Sequence, residues 1–190
     1  MTGNQNQRGI SIVELMVVIC IMTVLMGFAS MGTDLVRDAR LRRVTQELLS
    51  DIQQARVRAM TREARGYGIR FQSSRSYVVF RFEDCNDDNT YDAGACGGNS
   101  REEADVSIKT ISPEVVLKRQ GVTDDFNNNI LIFDRDGISR SATWAFGNMT
   151  IVVKNDADQA GIKCITVSAT RVREGVWGWD RREHRDTCLE

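Results

Sequence analysis

The chain has 190 residues, a formal net charge of −1 and 27% charged side chains. That length suits one globular domain with an appendage. The near-neutral balance selects no partner class by itself, and a single histidine leaves no grouping of nucleophile and base, so the composition speaks against an enzyme.

The first element is apolar. Between Ile10 and Thr33 the only ionisable side chains are Glu14 and the thiol of Cys20. About 20 apolar residues span a bilayer as a helix, so 10–33 reads as a transmembrane segment. It is too long for the apolar part of a secretory signal, and no small-x-small cleavage site closes it. A charge inside such a segment is costly, which makes Glu14 a candidate functional residue. Arg8 precedes the segment, whereas Arg37, Arg40, Arg42 and Arg43 follow it. Taken alone, that asymmetry favours keeping the following domain on the cytoplasmic side.

Beyond Asp34 the period changes. Leu41, Val44, Leu48, Ile52, Ala55 and Ala59 fall at steps of three and four, which draws one apolar stripe along a helix. No proline interrupts Ile10 to Ala64. The expectation is one helix of about 55 residues, roughly 80 Å long, apolar all round at first and amphipathic over 34–65. Gly27 and Gly32 are its weak points.

From residue 66 onward the sequence turns β-like. Tyr67–Gln72 and Ser76–Phe82 flank a short polar turn. Val106–Ile111, Val115–Arg119, Asn129–Phe133, Met149–Lys154 and Ile162–Thr170 read as further strands. One helix followed by runs of strands defines an α+β fold, with the helix laid on an antiparallel sheet.

An acidic stretch, EDCNDDNTYDAGACGG, lies between two of these strands. Asp84, Asn86, Asp88, Thr90 and Asp92 follow the alternating oxygen-ligand spacing of a calcium loop. Asn89 stands where that loop has Gly, and Ala95 where it has a bidentate Glu, so a solvated hairpin loop is the competing reading. Cys85, Cys96, Cys164 and Cys188 allow three pairings. The simplest is the local one, Cys85–Cys96 with Cys164–Cys188, and it calls for an oxidising compartment.

Four stretches resemble known families. RGISIVELMVV is similar to the prepilin signature: a short basic leader, a Gly, then an apolar helix with Glu at its fifth position. Ile10 stands where the family usually has Phe. The resemblance implies that prepilin peptidase cuts after Gly9 and methylates the new amine of Ile10. It implies a leader over 1–9, an anchor in the bacterial inner membrane, and a β-rich periplasmic domain over 66–190. It further implies assembly with other pilins or pseudopilins, in which Glu14 pairs with the Ile10 amine of an adjacent subunit.

The QELLSDIQQARVRAMTR helix, the ILIFDRDG turn and the ending IKCITVSATRVREG resemble the FimT and type II secretion pseudopilin H family. Its members are minor subunits of type IV pili or of the pseudopili that serve protein export. Some carry a Gly-Arg-x-Arg motif that contacts DNA during uptake. Thr170-Arg171-Val172-Arg173 stands at that place here, with Arg181 and Arg182 downstream. Alternation puts Arg171 and Arg173 on one strand face. From Arg171 to Asp186 five arginines meet four acids, so the stretch has no strong net footprint.

Overall fold

The structure, a computed structural model, describes residues 11–84, 103–119, 129–141, 145–156, 161–180 and 185–189. The chain divides into two compact units, Met1–Ala39 and Arg40–Glu190. One helix, α1 (Ile12–Met60), runs through both. Its backbone stays helical through Gly27 and Gly32, so neither glycine breaks it. It covers the whole apolar stripe and ends a turn before Ala64, where the proline-free stretch was expected to carry it. Arg62 adopts a left-handed φ of 62°, and the amides of Thr61 and Arg62 close short turns onto the carbonyls of Arg58 and Ala59. A residue in that conformation cannot continue a helix.

Among the described residues the second unit holds ten strands in two five-stranded antiparallel sheets rather than the single sheet expected. The first contains β1 (Gly66–Ser73), β2 (Ser76–Phe82), β3 (Glu103–Thr110), β5 (Asn129–Asp134) and β6 (Ser139–Arg140), in the order β3-β2-β1-β5-β6. The second contains β4 (Val115–Arg119), β7 (Met149–Asn155), β8 (Lys163–Val167), β9 (Val172–Asp180) and β10 (Arg185–Leu189), in the order β10-β9-β8-β7-β4.

The apolar stripe of α1 decides the packing. Leu41, Leu48, Ile52, Ala55 and Ala59 are buried in one core with Ile69 and Phe71 of β1, Leu131 of β5, Leu117 of β4, Ile151 of β7 and Ile165 of β8. Each such large side chain contributes about 1.5–3 kcal/mol by leaving water. Alanine at 55 and 59 gives the helix a smooth face toward the strands. Val78, Phe80 and Phe82 of β2 with Ile132 of β5 form a second cluster, all four fully buried. β2 is therefore covered on both faces, which is why YVVF reads as a continuous apolar run rather than an alternation.

The two sheets are stitched by backbone hydrogen bonds. On one side the Leu117 amide of β4 donates to the Ser74 carbonyl in the turn after β1, at 2.8 Å. On the far side the Ser139 amide donates to the Ala169 carbonyl at 3.0 Å. The Ser139 hydroxyl, fully buried, faces the carbonyls of Gly147 and Ser168.

The Asp-Arg-Asp-Gly turn between β5 and β6 has a defined cause. Asp134 Oδ1 accepts the amides of Asp136 and Ile138, and Oδ2 accepts Arg140 Nε at 2.8 Å. Gly137 sits at φ 71°, a conformation that glycine adopts without strain. Arg135 Nε donates to the Ala64 carbonyl, which fastens the turn to the exit of α1.

Candidate assembly helix, polar groove and carboxy-terminal ribbon

In the first unit, side chains are described from residue 11 to 27 and from 35 onward. Every one from 11 to 27 is exposed. Twelve large apolar residues from Ile12 to Met26 have exposures between 47% for Val18 and 78% for Ile12. They point in every direction around the axis, so no single face carries the apolar surface. Glu14 is exposed in the first turn, where the partial positive charge of the helix N-terminus favours a carboxylate. Thr23 donates its hydroxyl to the Cys20 carbonyl at 2.8 Å, so this polar group needs no water. Among the described residues no helix is long and apolar enough to cross a membrane. Gly9 and Ile10 lie outside the described residues.

In the second unit, α1 carries a polar cluster against β2 and β3. Tyr77 donates its hydroxyl to Asp51 at 2.7 Å. Lys109 Nζ lies 3.2 Å from Glu47 and 3.8 Å from Asp51. Burial, followed by the Asp51 carboxylate, pushes the Tyr77 phenol well above its ordinary range. The hydrogen bond to Glu47, followed by the charge of Asp51, raises the Lys109 ammonium. Arg40 pairs with Glu114 on the loop after β3. Between these pairs lies an open groove of about 270 Å3, lined by Arg40, Arg43, Val44, Glu47, Tyr77 and residues 109–112. Nothing in the sequence paired Glu47 and Asp51 with a lysine some 60 residues away.

The carboxy-terminal ribbon is set by Cys164–Cys188, bonded in the structure with a Cα–Cα distance of 5.8 Å. β9 lies between the two half-cystines. Its first half pairs with β8 and its second half with β10. The ending was expected to follow a strand reaching Thr170. Instead β8 stops at Val167, a turn over 168–171 closes with the Ser168 amide on the Arg171 carbonyl, and β9 begins. Arg171 therefore sits at the turn and only Arg173 lies in a strand, so they do not form the expected two-residue strand face. Both are exposed. Arg173 pairs with Thr166, on the face opposite the core residues Ile165 and Val167, whereas Glu174 pairs with Ile165. Alternation thus sorts the interleaved charges onto two faces. Trp177 and Trp179 share the parity of Arg173, and Trp179 is 57% exposed. Arg181, Arg182 and His184 lie outside the described residues.

Of the calcium-like loop only Asp84 is described. Its side chain is fully buried, with a carboxylate oxygen 3.7 Å from Arg65 Nη2. Asn86, Asp88, Thr90, Asp92 and the Cys85–Cys96 pairing lie outside the described residues. Among the described residues no group of three or more acidic, histidine or cysteine side chains is placed to hold a metal ion.

An N-terminal helix with an uncovered apolar segment, continued by an amphipathic segment built into an antiparallel β domain, defines a pilin-class subunit. The chain belongs to the family described as Type II transport protein GspH, whose model matches residues 44–170. The Prokaryotic N-terminal methylation motif matches residues 4–30. No curated protein matches the chain significantly. Among solved structures, it is similar to the minor pseudopilin EpsH from the Type 2 Secretion System of Vibrio cholerae, at 10% identity and a TM-score of 0.49, covering 72% of this chain and 97% of that one. It is also similar to the Pseudomonas aeruginosa type IV minor pilin FimU, at 14% identity and a TM-score of 0.46, covering 70% and 86%. By family the chain is a minor pseudopilin or pilin, of type II secretion or of a type IV pilus.

Proposed function

We propose that the chain is a structural subunit that is cut after Gly9, methylated on Ile10 and packed into a pilus or pseudopilus through its N-terminal helix, at the initiation or tip complex. Residues 10–33 hold it in the inner membrane as a single pass, 34–65 continue the helix, and 66–190 form its periplasmic domain. The observation that carries this reading is the uncovered apolar surface from Ile12 to Met26. Twelve such side chains in water are a large standing cost, which lipid first and neighbouring helices later remove. Glu14 supplies register: the Ile10 amine created by cleavage neutralises it on an adjacent subunit. The subunit works by packing, with no catalytic step.

Mass spectrometry of the mature chain is the test. The expected first residue is N-methylated Ile10. A mature chain that keeps residues 1–9 overturns the reading.

A second reading, contact with DNA at the carboxy-terminal ribbon, is supported by the exposure of Arg171 and Arg173 and by the placement of Glu174 on the opposite face from Arg173. On that face the register adds Lys118, level with Val152, Cys164 and Gly175.

A further inference from the structure

The groove beside α1 has no part in membrane anchoring, in processing or in the ribbon. It is lined by a helical stripe of Arg40, Arg43, Val44 and Glu47 on one side, and by Tyr77 and residues 109–112 on the other. Val44, Tyr77 and Ile111 make an apolar floor, and charges stand at the rim. Those charges are not equivalent. Arg40 is engaged by Glu114, and Lys109 by Glu47 and Asp51. Arg43 is exposed and, among the described residues, forms no ion pair. The groove therefore offers one uncommitted guanidinium above an apolar floor.

Size narrows the ligand. At about 270 Å3 the groove falls below the roughly 300–1,000 Å3 of pockets that enclose a small molecule. It is open to solvent, so it would leave a metabolite half covered. One carboxylate side chain fits: its methylenes lie on Val44 and Ile111, and its oxygens meet the planar fork of Arg43.

We propose that this groove receives an aspartate or glutamate side chain of a neighbouring pilin-class subunit in the filament. The inference rests on the assembly reading above, which supplies the neighbour. Charge complementarity to Arg43 supplies the choice of an acid.

Arg43→Lys in the full-length chain, expressed in its native host, turns the site into a chemical reporter. A carbodiimide joins an amine to a carboxylate only when the two are in contact. The expected result is a zero-length link between residue 43 and an acidic residue of another pilin-class subunit, located by mass spectrometry. Thr110→Trp adds bulk at an exposed lining position and should lower the yield of that link by about tenfold or more, in the range seen on disrupting close interfacial charge pairs, without changing the melting temperature. No link from residue 43, or a link only to Glu47 of the same chain, overturns the proposal. Glu14→Ala run alongside separates the two ideas. If it abolishes incorporation while Arg43→Lys assembles normally and gives no link, the groove inference fails and the assembly reading stands. If Glu14→Ala incorporates normally, the assembly reading itself fails.

Discussion

Gly175 is level with Cys164 and lies against the sulfur of Cys188. A Cβ added at position 175 would stand 2.9 Å from the Cys188 sulfur and would collide with the Leu189 carbonyl oxygen. The disulfide joins β8 to β10 across β9, and only a residue without a side chain leaves that crossing open. Gly175→Ala should therefore destabilise the folded domain by about 1–3 kcal/mol, the usual cost of overpacking against atoms that cannot move aside. Replacing Cys164 and Cys188 by serine should cost about 3 kcal/mol, given a separation of 24 residues. Urea unfolding under oxidising conditions checks both. Adding a reductant should lower the native chain by at least as much as the serine replacement does.

Burial of the Tyr77 phenol, together with its hydrogen bond to Asp51, predicts an alkaline limit to stability. The phenol is raised above its ordinary value of 10.0 in the folded state, so the folded chain holds a proton that the unfolded chain releases. The stabilisation is fully present below pH 10 and is lost as pH rises beyond it. The raised Lys109 ammonium acts in the same direction. For one group the slope reaches about 1.4 kcal/mol per pH unit. Tyr77→Phe should lose about 1–2 kcal/mol at pH 7, because Asp51 loses a donor. Above pH 10 it should fall less steeply than the native chain. Chemical denaturation from pH 7 to 11 measures both slopes, and parallel curves would rule the explanation out.

Glu14→Ala should leave cleavage after Gly9 and methylation of Ile10 intact while removing the chain from filaments. Deleting one member of a buried ion pair costs about 3 kcal/mol, on the order of 100-fold in assembly equilibrium. Quantitative immunoblotting of sheared filaments against membranes provides the readout. Glu14→Gln, which keeps the shape without the charge, should behave like Ala rather than like the native residue.

If the ribbon contacts DNA, binding by the detergent-solubilised chain should weaken steeply with salt. Changing Arg171 and Arg173 to Gln should lower the slope of log affinity against log salt by about 2 for duplex DNA. Fluorescence anisotropy over a salt series measures it. An absence of binding by the native chain at low salt would end this reading.

Much of this architecture was written in local pattern. The apolar segment up to Met26 and the stripe of Leu41, Leu48, Ile52, Ala55 and Ala59 marked α1, because helical period is a property of neighbouring residues. β1, β2, β4, β5 and β7 were legible for the same reason. β9 was not: Gly-Val-Trp-Gly-Trp-Asp carries two glycines and no alternation of apolar and polar residues. It is a strand because β8 and β10 flank it and Cys164–Cys188 closes over it. β6 has two residues, too few for a period. The division into two sheets escaped because alternation says which residues share a face, not which strands pair. The Tyr77–Asp51–Lys109 cluster escaped because its members meet only after folding.

The stitches between the sheets set how the domain comes apart. In the β1–β2 turn Ser74 accepts the Leu117 amide of β4, and Arg75 pairs with Asp156, after β7, at 2.5 Å. At the opposite edge Ser139 holds the β8–β9 turn through Ala169. Neither sheet can peel from the other without breaking backbone hydrogen bonds at both margins and opening the core they share with α1. The β domain should melt as a single cooperative block, and a partly open subunit with one sheet intact should not accumulate.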